Sequence, residues 1–170
     1  MSGKQEKPRA RADAARPRLR LGVQVAVDAD DLPVRSTLRR WLLRALRHDA
    51  TVTVRFVGAA EGRRLNRVFR GKDYATNVLT FVHDADTAGS PARRGAEPLS
   101  GDIVLCVPVL RREAGARRKT LRAHCAHLVI HGTLHLQGFA HESAKDARVM
   151  EALETRLLGS LGYGDPYATI

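Results

Sequence analysis

His-Gly-Thr-Leu-His-Leu-Gln-Gly-Phe-Ala-His, residues 131–141, is the segment whose reading decides the architecture. Four positions separate His131 from His135. On an α-helix such residues lie one turn apart on one face, near enough to share an ion. Gly138 can end that helix in a left-handed conformation that no Cβ opposes. The chain can then turn and bring His141 back toward the other two. A single helical histidine is more often an ordinary polar or core side chain. Three at this spacing, with a glycine before the third, constrain ligand count and geometry together, and they predict one Zn²⁺ per chain held by His131, His135 and His141. Three imidazoles leave a fourth position for water, the arrangement of a catalytic rather than a structural zinc site, where the pKa of the water falls to about 7.

The spacing H-x-x-x-H-x-x-G-x-x-H is that of the metzincin zinc helix, glycine included. One position breaks the match. Metzincins place Glu, the general base, directly after the first histidine; here that residue is Gly132, which carries no proton-transfer group. Peptide hydrolysis by the usual route lacks its base, while the metal-binding half of the pattern is intact.

Upstream on the same expected helix, His124, His127, His131 and His135 fall within roughly 80° of arc at about 100° per residue. His124 and His127 could support the ligands, contact phosphate or be merely solvated. His127 is carried forward as a candidate substrate contact. Leu121, Cys125, Leu128 and Leu136 form the neighbouring apolar stripe, so Cys125 reads as core.

Further outward, periodicity gives the remaining elements. Residues 21–27 and 51–57 alternate with period 2 and read as strands. Between them, Asp30 or Asp31 offers an N-cap, Pro33 a first-turn residue, and Leu38, Trp41, Leu42, Ala45 and Leu46 a helical stripe. A short helix is expected at about 59–69, strands at 77–82 and 102–107, and helices at about 109–117, 119–137 and 143–158. The last carries Met150, Leu153 and Leu157 on one face. Residues 84–99 show no period and read as a surface loop. Strands gather early and helices late, which predicts an α+β fold: a small mixed sheet of about four strands packed with about five helices.

The chain has 170 residues, 44 % of them hydrophobic, which suits one self-sufficient core. No apolar run is long enough to span a bilayer, and the first residues lack a signal-peptide core. Two cysteines exclude a disulfide framework and fit a reducing, cytoplasmic setting. The net charge is +11. The first 20 residues hold seven Lys/Arg against two Asp/Glu, so the body is basic as well. Residues 1–18 read as a flexible basic tail before a single domain at 19–170. Such a charge suits a polyanionic partner, because phosphate contacts release condensed counterions. Only 5 % of residues are aromatic, so base-stacking platforms are few.

The 131–141 segment closely resembles the signature of the YbeY family, H-G-x-L-H-L-x-G-aromatic-Asp-His. Leu65 to Phe81 (LNRVFRGKDYATNVLTF), GDIVLC at 101–106 and MEALETRLLGSLGYGDPY at 150–167 are similar to three further family blocks, in the same order. The resemblance covers roughly residues 20–168. It implies a zinc-dependent, single-strand-specific endoribonuclease acting in ribosomal RNA maturation, especially at the 3′ end of the small-subunit rRNA, and in ribosome quality control. It implies the ribosome, a small-subunit ribosomal protein and the GTPase Era as partners. The family's functional arginine maps onto Arg70. One departure is Ala140, where the family usually has Asp; a carboxylate there could orient a ligand histidine.

In that chemistry Arg70 would hold a phosphate in a bidentate fork and stabilise developing charge. Lys72 is a second candidate phosphate contact. Attack by water and attack by the RNA 2′-hydroxyl both remain open. Two other functions compete: a non-catalytic ribosome-assembly factor whose zinc only holds the fold, and, on spacing alone, a metallopeptidase.

Overall fold

The computed structural model describes residues 16–83 and 98–168. Most of the expected basic tail and nearly all of the expected 84–99 loop lie outside the described residues. Arg18, at the tail's end, is tied to Asp49 through its backbone N–H and its guanidinium at 2.8 and 2.9 Å.

Four strands and five helices follow in the order β1 (Leu19–Ala26), α1 (Arg35–Ala45), β2 (Ala50–Val57), α2 (Ala59–Arg70), β3 (Val78–Val82), β4 (Leu99–Cys106), α3 (Val107–Ala116), α4 (Leu121–Leu136) and α5 (Ala144–Ser160). The sheet order is β1-β2-β4-β3. β1, β2 and β4 are parallel and β3 is antiparallel to β4, which makes the sheet mixed and the fold α+β.

Alternation sorts the strand residues between two faces. Val52, Val54, Phe56, Ile103 and Leu105 belong to the main core with Leu38, Trp41 and Leu42 of α1, Val129, Ile130 and Leu134 of α4, and Met150 and Leu158 of α5. Val57, Leu79, Val104, Cys106 and Val109 form a smaller cluster on the other face, with Leu65 of α2, Ala75 and Phe81 packed against it. Because β4 is covered on both faces, Ile103 to Cys106 is continuously buried instead of alternating.

α4 is the central helix. Eleven of its residues, including His124 and His127, are buried. Gly132 is what lets it lie on the sheet: a Cβ there would meet methyls of Ile103 and Thr80 at 3.1 Å.

Three expectations need correction. Neither Asp30 nor Asp31 caps α1. Val34 stands at the N-cap without a side-chain hydrogen bond, while Asp31 pairs with Arg111 of α3. β4 begins at Leu99, not at 102, because Leu99 is buried and registers with Ala50 in the parallel ladder. α3 begins at Val107, with Pro108 in its first turn, where a missing N–H is tolerated.

Candidate metal centre

Thr120 starts α4 by accepting a hydrogen bond from Ala123 N at 3.1 Å, and the helix then runs to Leu136. Gly138 follows at φ +90°, the left-handed turn expected of it. His131 and His135 emerge on one face of α4, and His141 arrives from beyond the turn. The ring centroids of His141 lie 5.8 Å from His131 and 4.9 Å from His135. One ligand nitrogen from each of the three lies within 4.8 Å of the others.

Hydrogen bonds fix which nitrogen each helical ring presents. His135 Nδ1 donates to the Phe139 carbonyl at 2.9 Å, a carbonyl placed by the turn at Gly138. His131 Nδ1 donates to Glu154 Oε1 at 2.6 Å. Both Nε2 atoms therefore turn inward, 3.0 Å apart. Two lone pairs aimed at each other repel unless a cation or proton lies between them. Imidazole nitrogens about 2.0–2.1 Å from a tetrahedral zinc stand at a comparable mutual separation. The three residues thus fit a zinc ion. Burial first, then the neighbouring imidazoles, push the His135 pKa down to about 4, so the ring is neutral at physiological pH.

Sequence reasoning missed Glu154. It lies on α5, is fully buried, and receives three donors. They are His131 Nδ1, His127 Nε2 at 3.2 Å and the Tyr167 hydroxyl. Burial works to raise its pKa, but the three hydrogen bonds outweigh it and hold the carboxyl down at about 2. A buried carboxylate behind a ligand histidine fixes the tautomer and raises ligand basicity. A signal was available. Glu154 sits one turn from Met150 and one turn from Leu158, both buried, so a charge occupies a core-facing position of α5.

His127 is turned inward. It is 8 % exposed and hydrogen-bonded to Glu154 and Tyr167. His124 is buried and pairs with Glu113 at 2.7 Å. Glu113 in turn accepts from Asn77 at 3.1 Å, which links α4 and α3 to the start of β3. His127, His131 and Glu154 form a second potential ligand group, but it shares His131 with the first. A cleft of about 290 Å³ opens beside the trio, lined by His131, His141, Glu151, Glu154 and Tyr167 among others.

The model of the family described as "Endoribonuclease YbeY" matches residues 25–162. A protein of Aromatoleum aromaticum named endoribonuclease YbeY is 56 % identical over 159 residues, covering 92 % of this chain and 97 % of the relative. The Nitrosospira multiformis protein of the same name is 53 % identical, covering 91 % and 86 % respectively. The chain belongs to the YbeY family. The solution structure of TM1509 from Thermotoga maritima is 24 % identical, covers 89 % of this chain and 99 % of its own, and superposes with a TM-score of 0.48.

The residue of this YbeY chain expected to act on phosphate, Arg70, is the last residue of α2 and is exposed. Gly71 ends that helix at φ +67°, and Lys72, also exposed, follows. α2 covers the sheet face opposite α4, so Arg70 and Lys72 do not share a wall with the histidines. The ring of Phe81 packs edge-on against Phe69 at 5.0 Å, while a Cβ on Gly101 would meet both the Phe81 carbonyl and Leu136 of α4 at 2.6 and 2.7 Å. The C-terminal ends of α2 and α4 therefore flank the same end of β3. Ala140 is exposed, and the carboxylate hydrogen-bonded to a helical histidine of the trio is Glu154.

Proposed function

We propose that this chain is a zinc-dependent, single-strand-specific endoribonuclease that matures ribosomal RNA at the 3′ end of the small-subunit rRNA and serves ribosome quality control. The observation that carries the reading is the convergence of two tautomer-fixed Nε2 atoms, with His141 beside them, in a chain of the YbeY family. His131, His135 and His141 would hold one Zn²⁺. Bound there, zinc supplies a Lewis acid for a phosphoryl oxygen and activates water. Glu154 would keep His131 oriented. Arg70 would grip the phosphate across the end of β3, with Lys72 as a further contact.

Residues 19–170 would form one catalytic domain and residues 1–18 a basic tail. The protein would act in the cytoplasm, with the ribosome, a small-subunit ribosomal protein and the GTPase Era as partners. No described helix is long and apolar enough to cross a membrane. Gly132 tells against the peptidase alternative structurally as well as chemically: a Cβ there already meets methyls of Ile103 and Thr80 at 3.1 Å, so a glutamate would have to displace them.

The test is a cleavage time course on single-stranded and duplex RNA with wild type, His135→Ala and Arg70→Glu purified in parallel. Cleavage of the single strand alone, lost in both variants, is expected. Equal turnover by His135→Ala would mark the activity as a contaminant and leave a non-catalytic assembly factor. A 2′,3′-cyclic phosphate end would identify the 2′-hydroxyl as nucleophile.

A further inference from the structure

Residues 63–74, Arg-Arg-Leu-Asn-Arg-Val-Phe-Arg-Gly-Lys-Asp-Tyr, put cations and exposed rings on one short stretch. Phe69 is 61 % exposed and Tyr74 56 % exposed. Asp73 engages Arg63 at 2.7 Å and lies 4.0 Å from Arg67. Arg64, Arg70 and Lys72 have no carboxylate partner among the described residues. The stretch is also held in place. Asn66, buried, donates to the Tyr74 carbonyl at 2.7 Å and accepts at its own carbonyl from Lys72 N. Phe69 packs in a T-shaped contact with Phe81.

Large rings left more than half in water, at a helix end and the turn after it, add little to the fold, and a surface that spends them usually meets a partner. Unpaired cations around them narrow the partner to a polyanion with flat apolar faces. Single-stranded nucleic acid has that chemistry: bases stack on aromatic rings while cations follow the phosphates. In a duplex the base faces are already stacked on one another, so the same surface discriminates against it. Its position fits, because Phe69 packs on Phe81 of β3, and the Phe81 carbonyl and Leu136, the neighbour of His135, both crowd Gly101.

We propose that Phe69 and Tyr74 are the base-stacking platform for single-stranded RNA, with Arg64 and Lys72 along its phosphates, so that the strand crosses the end of β3 from this platform to the three histidines. The proposal rests on the endoribonuclease reading and adds to it where the bases sit. Of the eight aromatic residues in the chain, these two suffice for a preference that composition alone made improbable.

The test is fluorescence anisotropy with labelled oligouridylate, and with an abasic strand of equal length, after melting curves confirm folding. Phe69→Leu and Tyr74→Leu keep apolar bulk but remove the ring. Each should weaken oligouridylate binding roughly 5- to 100-fold while leaving the abasic strand's affinity unchanged; Phe69→Trp and Tyr74→Phe should bind like wild type. If the Leu variants bind oligouridylate within about twofold of wild type, or weaken both strands equally, the platform is refuted while wild-type cleavage keeps the broader reading intact. If wild type binds no single-stranded RNA, both fall.

Discussion

His131, His135 and His141 were legible because their geometry is local. Helical spacing sets the first pair, and a glycine turn three residues after His135 sets the third. Glu154 was not legible in the same way. It is 23 residues from His131, and its hydrogen bond exists only because α5 packs on α4. The clue was a carboxylate between Met150 and Leu158 on a core face, a position where an unpaired charge would be untenable. Replacing it with its isostere should isolate its effect on the ligand. Glu154→Gln is expected to weaken zinc binding about 10- to 100-fold, measured by competition with a chromogenic chelator; unchanged affinity would reduce Glu154 to a packing role. Cys125 offers a separate check at this scale. Burial pushes its thiol up to about 12, well above the value near 8.5 of an unfolded chain. The raised folded pKa favours the native state below the unfolded value, and that contribution is lost as pH rises from about 8.5 toward 12. Wild type should therefore lose up to about 1.4 kcal/mol more per pH unit in that window than Cys125→Ala, read from denaturant melts. Native protein at pH 8 should also leave Cys106 and Cys125 unreactive toward a thiol reagent, since both are buried.

Among the elements, the helices were read better than their ends. α5 carries a side-chain cap at Ser143, which accepts from Asp146 N at 3.1 Å. α1 does not, and Asp31, the obvious cap in the sequence, is drawn off to Arg111 by a contact 80 residues away. β4 was shortened for a related reason. Pro98, Ser100 and Gly101 look like turn formers, yet Gly101 is required in the strand because the Phe81 carbonyl and Leu136 crowd its Cα. Gly132 teaches the same lesson on α4. Sequence reasoning saw a missing base; the structure adds that the position is pressed against β3 and β4. Restoring the metzincin-like glutamate should not create a peptidase. Gly132→Glu is expected to destabilise by about 3 kcal/mol or more, through overpacking and a buried unpaired charge. A chemical denaturation curve at wild-type stability, or casein cleavage by the variant, would contradict this account of the helix.

At the scale of the whole molecule, the fold class followed from the order of periods along the chain. The division into two faces did not. Only the sorting of alternate β4 residues into two separate clusters reveals that α2 lies opposite α4, so that in the proposed reaction Arg70 would reach the histidines around the β3 edge. The basic composition anticipated a polyanion, but which cations face it depends on which are already paired, and Asp73 removes Arg63 from that set. Arg64→Ala should lower the slope of log affinity against log salt for single-stranded RNA by about 0.7, one phosphate contact, whereas Arg63→Ala should change it less.

The centre of the account is one zinc ion held by His131, His135 and His141, and elemental analysis of purified protein by mass spectrometry tests it most directly. Wild type should carry one equivalent of zinc per chain, and folded His135→Ala almost none. A wild type free of zinc after purification in its presence, or a His135→Ala variant that retains a full equivalent, would contradict it.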